Sequence, residues 1–235
     1  MQYHAIRCKT MQYHAKQYHT MQYHAISWIS CNTMQYNAIP CNTMQYHAIE
    51  NIICKNRFSI FCIQESKLDP SKDPSCYHIS GYNVVEIHRN ARGGGLLFYP
   101  DSSIAFRRLP ELENSCPTLE HLCVEVFFSN KKILVNNIYW PPNSDTQLCL
   151  LNLKQTSDQI RSVNSATTMY IGDLNAWNNY CFYGSLISRL IYYQISEIFE
   201  DRCFSQIIDL PSRTVNNCSS LLDAIYIDRL DLVSM

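Results

Sequence analysis

The chain has 235 residues, 46% of them hydrophobic, and a formal net charge of −1. That balance excludes a bulk basic footprint for nucleic acid, so any phosphate chemistry must rest on a local site or a metal. No charged segment leads into an apolar one and no apolar run approaches the roughly 18 residues of a membrane span, so an intracellular protein, nuclear or cytoplasmic and not secreted, is expected.

The first 48 residues are a repeat. Copies of MQYHA, or in one case MQYNA, begin at Met1, Met11, Met21, Met34 and Met44, at spacings of 10, 10, 13 and 10 residues. Such a unit is too short for a solenoid module, which takes about 20 or more residues. Back-translated, the best copy with His restored at Asn37 reads MQYHAIPCNT, which is ATGCAATACC written three times. A ten-base tandem read in frame has a ten-residue period. Residues 1–48 are therefore expected to be translated DNA repeat, disordered, with residues 49–235 forming one incomplete domain. The weaker alternative is a metal-chelating array of His4, His14, His19, His24 and His47. Of the 12 cysteines, Cys8, Cys31 and Cys41 fall in the repeat; the other nine are scattered, with no C-x-x-C pair. Buried free thiols are expected, not a disulfide framework.

From Ile49 the texture changes. IENIICKNR suits a helix, RFSIFCIQES a buried strand, and GYNVVEIHR and GGGLLFY two more strands. LEHLCVEVFF and KKILVNNIYW form a pair turning at Ser129–Asn130. Residues 144–165 read as a helix with Leu148, Leu151, Ile160 and Val163 on one side. TMYIGDLNAW is a strand, 184–204 a helix, and SQIIDL and SLLDAIYI are closing strands. Strands outnumber helices, and helices fall between groups of strands, which predicts an α/β sandwich of mixed sheets.

Several of these strands end in carboxylates or carboxamides: Glu65, Asn143, Asp173, Asn175 and Asp223. A carboxylate ending an apolar strand is costly to bury unless it is paired or binds a metal. Hard oxygen donors of this kind suit Mg²⁺ or Mn²⁺. One such residue is an ordinary turn residue more often than not; five in order are harder to dismiss.

In order, FCIQESKL, RNARGGGLLFY, LVNNIYWPPN, YIGDLNAW and PSRTVNNCSSLLDAIY resemble the endonuclease/exonuclease/phosphatase superfamily, above all the apurinic-like endonuclease domain of LINE-type, jockey-like non-LTR retrotransposons. The resemblance covers residues 49–231. It implies a four-layer α/β sandwich, two mixed sheets face to face with helices outside, and Mg²⁺- or Mn²⁺-dependent phosphodiester hydrolysis on DNA. It implies no membrane, and no obligate protein partner is evident. Residue by residue, it makes Glu65 a metal ligand, Tyr139 a contact to the scissile phosphate and Asn143 the loop asparagine beside it. Asp173 would orient or deprotonate the attacking water, Asn175 would hold the phosphate in the transition state, and Asp223 would pair with a catalytic histidine. Arg92 and Gly93–Gly95 match a structural approach to a strand.

Two positions depart from the family pattern. The family's first-strand asparagine corresponds to Asn37, 28 positions before Glu65, either a surviving metal-site residue or a one-base change from CAT to AAT. The family's closing Ser-Asp-His occurs nowhere in the chain, which is expected to cost most of the rate. His121 is expected to satisfy local hydrogen bonds in or beside a strand. Trp177 suits either DNA stacking or, more favourably, a core anchor. The function expected is thus DNA endonuclease by lineage, in a degenerate fragment with little activity. Alternatives are a catalytically dead nucleic-acid-binding protein and another phosphoesterase of the superfamily.

Overall fold

A computed structural model describes the backbone of residues 6–13, 21–26, 43–68, 70–90, 93–113, 116, 118–128, 131–179, 186–208, 213–215, 218–230 and 233–234. The chain divides into two compact units, residues 1–106 with 231–235, and residues 107–230.

In the first unit, β1 (Ile6–Tyr13) and β2 (Met21–Ile26) pair antiparallel. Helix α1 (Thr43–Asn56) contains the helix predicted from Ile49 but begins earlier, at the residue before the fifth repeat copy. Ile49 and Ile53, one turn apart, are both buried in the unit's core, which is what anchors the helix. The chain leaves α1 at Arg57, whose φ of 50° and N–H bond to the Ile53 carbonyl (2.9 Å) form a left-handed cap. Strands β3 (Ile60–Gln64), β4 (Val85–Ile87) and β5 (Leu96–Pro100) make an antiparallel sheet in the order β3-β5-β4. Every residue of β3 and β5 is buried, as their continuous apolar runs predict. Two tyrosines tie loops to this core: Tyr82 Oη donates to the Phe58 carbonyl (2.7 Å) and Tyr99 Oη to the Tyr77 carbonyl (2.8 Å).

The second unit is built on a seven-stranded mixed sheet. It comprises β6 (Ala105–Arg108), β7 (Glu120–Phe128), β8 (Lys131–Tyr139), β9 (Thr167–Asn179), β10 (Ser205–Gln206), β11 (Arg213–Val215) and β12 (Cys218–Ile227). The order is β10-β12-β9-β8-β7-β6, with β11 on β12. The β8–β9 pair is parallel and its connection carries α2 (Thr146–Arg161), as a parallel pair requires; β7–β8 and β9–β12 are antiparallel. Helix α3 (Leu186–Glu200) follows β9. The last strand, β13 (Val233–Ser234), belongs to the first unit and pairs parallel with β1.

One face of the large sheet meets both helices through Leu134, Ile138, Tyr170 and Tyr226 from the strands and Leu153 and Phe199 from the helices. The stripe of α2 differs from the predicted one. Asp145 caps its start by accepting from the Leu148 N–H (3.0 Å), and the buried side is Cys149, Leu150, Leu153, Thr156, Ser157 and Ile160. Leu148 and Leu151 are exposed. The true stripe was masked because it runs through two hydroxyl residues, of which Ser157 satisfies itself on the Lys154 carbonyl (2.8 Å). The SQIIDL strand is shorter than predicted, only Ser205–Gln206. Helix α3 ends in a Schellman turn: Phe204 N–H bonds the Phe199 carbonyl (3.0 Å), Cys203 N–H bonds the Glu200 carbonyl (2.9 Å), and Cys203 takes φ 63°.

Among the described side chains, Cys54, Cys62, Cys76, Cys123, Cys149 and Cys203 are free thiols. Cys62, Cys123 and Cys149 are buried as expected, but Cys54, Cys76 and Cys203 are exposed, because they fall on a solvated helix face, at the end of a single 3-10 turn (Pro74–Cys76) and at a helix cap. Among the described residues no helix is long and apolar enough to cross a membrane.

Two measurable consequences follow from the second unit's core. Phe199 stacks on Tyr226 (4.0 Å between centroids) and meets Tyr170 edge-on (4.9 Å). Phe199→Ala should lower unfolding stability by about 3–5 kcal/mol, read as a shifted denaturant midpoint. His121 on β7 bonds the Asn136 side chain (2.9 Å), and burial pushes its imidazole down to about 4 from 6.5. The unfolded chain therefore binds a proton that the fold refuses between those values, so stability falls as pH drops from about 6.5 towards 4, by roughly 3 kcal/mol. His121→Gln should flatten that part of the stability–pH curve measured by urea titration.

Candidate functional site

The register of the large sheet decides which side chains meet. Tyr139 lies opposite Asp173 in the parallel β8–β9 ladder, Asp173 lies opposite Asp223 in the antiparallel β9–β12 ladder, and Glu120 lies opposite Tyr139 on β7. Laterally paired residues share a sheet face, so Glu120, Tyr139, Asp173 and Asp223 form one row across four adjacent strands. All four are buried, Asp173 to 1% exposure. The row stands on the face opposite α2 and α3, because the helix-facing neighbours Ile138, Leu174 and Ala224 alternate with it.

The contact of β8 with β9 is close. A Cβ on Gly172 would overlap the carbonyl oxygen of Ile138, its register partner, so only glycine fits before Asp173. Beyond Asp173 the pairing with β12 slips. The register jumps between Leu221 and Asp223, so that β9 accommodates extra residues around Asn175, whose φ is 46°. Bulges re-aim side chains beside functional sites, and asparagine tolerates the left-handed backbone such a bulge needs.

The bulge folds Asn175 back on Asp173. Asn175 N–H donates to Asp173 Oδ1 (2.9 Å) and its Nδ2 to Asp173 Oδ2 (3.0 Å) and to the Trp140 carbonyl (2.9 Å). The Trp140 N–H in turn bonds the Asp173 carbonyl (2.9 Å). Both oxygens of Asp173 and the amide of Asn175 are thereby fixed relative to the end of β8. Asn143, four residues past Tyr139, is exposed in the turn after Pro141–Pro142, with φ 64°. It shares a strand end with Tyr139 but has no place in the row.

Glu65 belongs to the first unit. It leaves β3 with φ 59°, and Lys67 repeats the left-handed backbone at 55°. The three glycines explain how such a segment is held. Ser66 N–H bonds the Gly95 carbonyl (3.0 Å) and Lys67 N–H the Gly94 carbonyl (2.9 Å); a Cβ on Gly95 would strike Ser66 Oγ, and one on Gly93 would sit 3.6 Å from Glu65 Oε1. The glycine run is thus a platform for the Glu65 loop, the structural role expected of it. Glu65 Oε1 lies 4.0 Å from Lys67 Nζ and its side chain is 19% exposed, so it is open to a hydrated ion. Mg²⁺ takes one or two carboxylates and keeps its waters, a demand this single hard oxygen donor fits. Among the described residues no three His, Cys, Asp or Glu side chains are grouped to hold a metal on their own.

Asn37 and Arg92 lie outside the described residues, as does the side chain of Trp177. Trp140, in IYWPPN, is buried in the second unit's core. Sequence reading missed Glu120. It was readable only as one polar position in the apolar run LEHLCVEVFF, and nothing short of the strand register assigns it to the row.

No protein-family model matches the chain, and no curated protein sequence matches it. Solved structures do. The endonuclease domain of TRAS1, a telomere-specific non-LTR retrotransposon, matches at TM-score 0.61 and 15% identity, over 87% of this chain and 87% of that one. An AP endonuclease from Archaeoglobus fulgidus matches at 0.56 and 19%, over 85% and 86%. D. rerio TDP2 complexed with a single-strand DNA product matches at 0.52 and 12%, over 78% and 76%. With its mixed and antiparallel sheets, their helices and these likenesses together, the chain has an α/β-sandwich fold, the fold of these solved structures.

Proposed function

We propose that this protein hydrolyses phosphodiester bonds in DNA with a divalent cation, as an endonuclease of the non-LTR retrotransposon type. The observation that carries the reading is the row Tyr139–Asp173–Asp223 with Asn175 bonded to Asp173. Hydrolysis of a phosphodiester needs a positioned water, charge neutralisation on the non-bridging oxygens and help for the leaving oxygen. Asp173, fixed through both oxygens, is the acceptor for the water's proton. The Tyr139 hydroxyl is a donor for a phosphate oxygen, and the Asn175 amide, held on Asp173 and the Trp140 carbonyl, reaches the phosphate by exchanging one of those bonds as substrate binds, a dipole that stabilises developing charge. Asn143, exposed at the rim after β8, is a substrate contact. Asp223 is the partner for a histidine of the Ser-Asp-His kind, a tripeptide absent from these 235 residues. Mg²⁺ or Mn²⁺ on Glu65, with Asn37 a second candidate ligand, would supply charge neutralisation.

The test is nicking of supercoiled plasmid by the 235-residue chain and by the same chain extended with Ser-Asp-His. The extended form should nick in Mg²⁺ and stop in EDTA. Asp173→Asn should lower its rate by about 10²–10⁴-fold and Asn175→Ala by about 10²-fold, with plasmid binding retained. Glu65→Gln should raise the Mg²⁺ concentration needed for half-maximal rate. An extended chain that shifts DNA on a gel but never nicks it would identify a binding protein instead. Turnover of a chromogenic phosphate monoester with no effect on plasmid would identify another phosphoesterase.

A further inference from the structure

Among the described residues, strand β2 is at one end of the three-stranded order β13-β1-β2. Its hexapeptide, MQYHAI, contains no Lys, Arg, Asp, Glu, Pro or Gly. Those are the residues by which sheet edges ordinarily avoid pairing with other chains, and β1, by contrast, carries Arg7 and Lys9. Uncharged segments of six or so residues without proline or glycine are those that pair with copies of themselves.

The hairpin already contains such a pairing. Met11 lies opposite Tyr23, Gln12 opposite Gln22, and Tyr13 opposite Met21. The tripeptide MQY is therefore paired antiparallel with MQY, about a local two-fold axis through the two glutamines. A pairing that is symmetric in sequence and in register can be made equally by the same tripeptide from another molecule. From this register we infer that β2 is the contact surface for a second copy of this chain, which adds its own β2 antiparallel, with Gln22 opposite Gln22 of the second copy. The contact is isologous, so it closes as a two-fold dimer and does not propagate. The tandem origin of the segment supplies its self-complementarity: a short DNA unit read in frame restates the same strand until two copies meet in register.

Light scattering coupled to gel filtration, run on the full chain over a dilution series, tests this. The wild type should show concentration-dependent mass rising from 27.4 kDa towards twice that value. Because position 22 meets itself on the axis, Gln22→Lys and Gln22→Glu each place like charges opposite one another, and each should raise the dimer dissociation constant about tenfold or more. An equimolar mixture of the two variants places Lys opposite Glu and should dimerise at least as well as wild type. A wild type that stays at 27.4 kDa throughout overturns the inference, as does a dimer indifferent to either substitution, or a mixture that fails to recover.

Discussion

Two backbones in contact at Gly172 fix the rest of the second unit's site. Because the Ile138 carbonyl occupies the space a Cβ would need, β8 and β9 can lie in only one parallel register here. A slip of one residue would turn every side chain to the other face. In the register observed, the last residue of β8 is Tyr139 and its neighbour is Asp173; the hydrophobic alternation Ile138, Leu174, Ala224 is locked to the helix face at the same time. Site and core are thus consequences of the same strand contact.

A carboxylate buried to the extent of Asp173 needs donors. The chain supplies them locally, from the residue two positions on, by bulging β9 against β12 and letting Asn175 adopt a left-handed backbone. This device makes the site cheap to assemble, since the sequence D-L-N carries both the acid and its partner. It also spends Asn175 Nδ2 on Trp140, which ties the acid to the loop following β8, where Asn143 stands. The first unit solves its own version of the problem with glycines, which let the Glu65 backbone settle on Gly94 and Gly95.

Most of the strands were legible because buried strands are apolar runs: β3 and β5 are buried throughout, and β7 and β8 are buried except at the ends that adjoin one another in sequence. Of the motif residues, Glu65 and Tyr139 do stand at a strand end, but Asp173, Asn175 and Asp223 lie inside β9 and β12, because pairing continues past the polar residues that were expected to stop each strand. What sequence could not supply was lateral information: the register that adds Glu120 to the row, and the phase of α2, where Thr156 and Ser157 occupy buried positions. The repeat shows the limit most plainly. MQYHAI is strand at Met21–Ile26 and helix at Met44–Ile49. A hexapeptide with no strong preference takes the conformation its surroundings impose, here an antiparallel partner in one case and an Ile49–Ile53 anchor in the other.

The row has a further electrostatic property. Asp173 and Asp223 occupy directly opposed positions, where Cβ atoms are about 5 Å apart, and Glu120 adds a third acid beyond Tyr139. Two ionised carboxylates at that separation in a medium of intermediate dielectric repel by on the order of a few kcal/mol. A fold keeps such an arrangement when something positive or proton-bearing acts between the acids. Tyr139 lies between Glu120 and Asp173 in the row and so spaces one acid from the next. Hydrogen-bond donors are one such offset, and Asn175 brings two of them to Asp173 from only two residues away, so the bulge in β9 also eases the repulsion within the row.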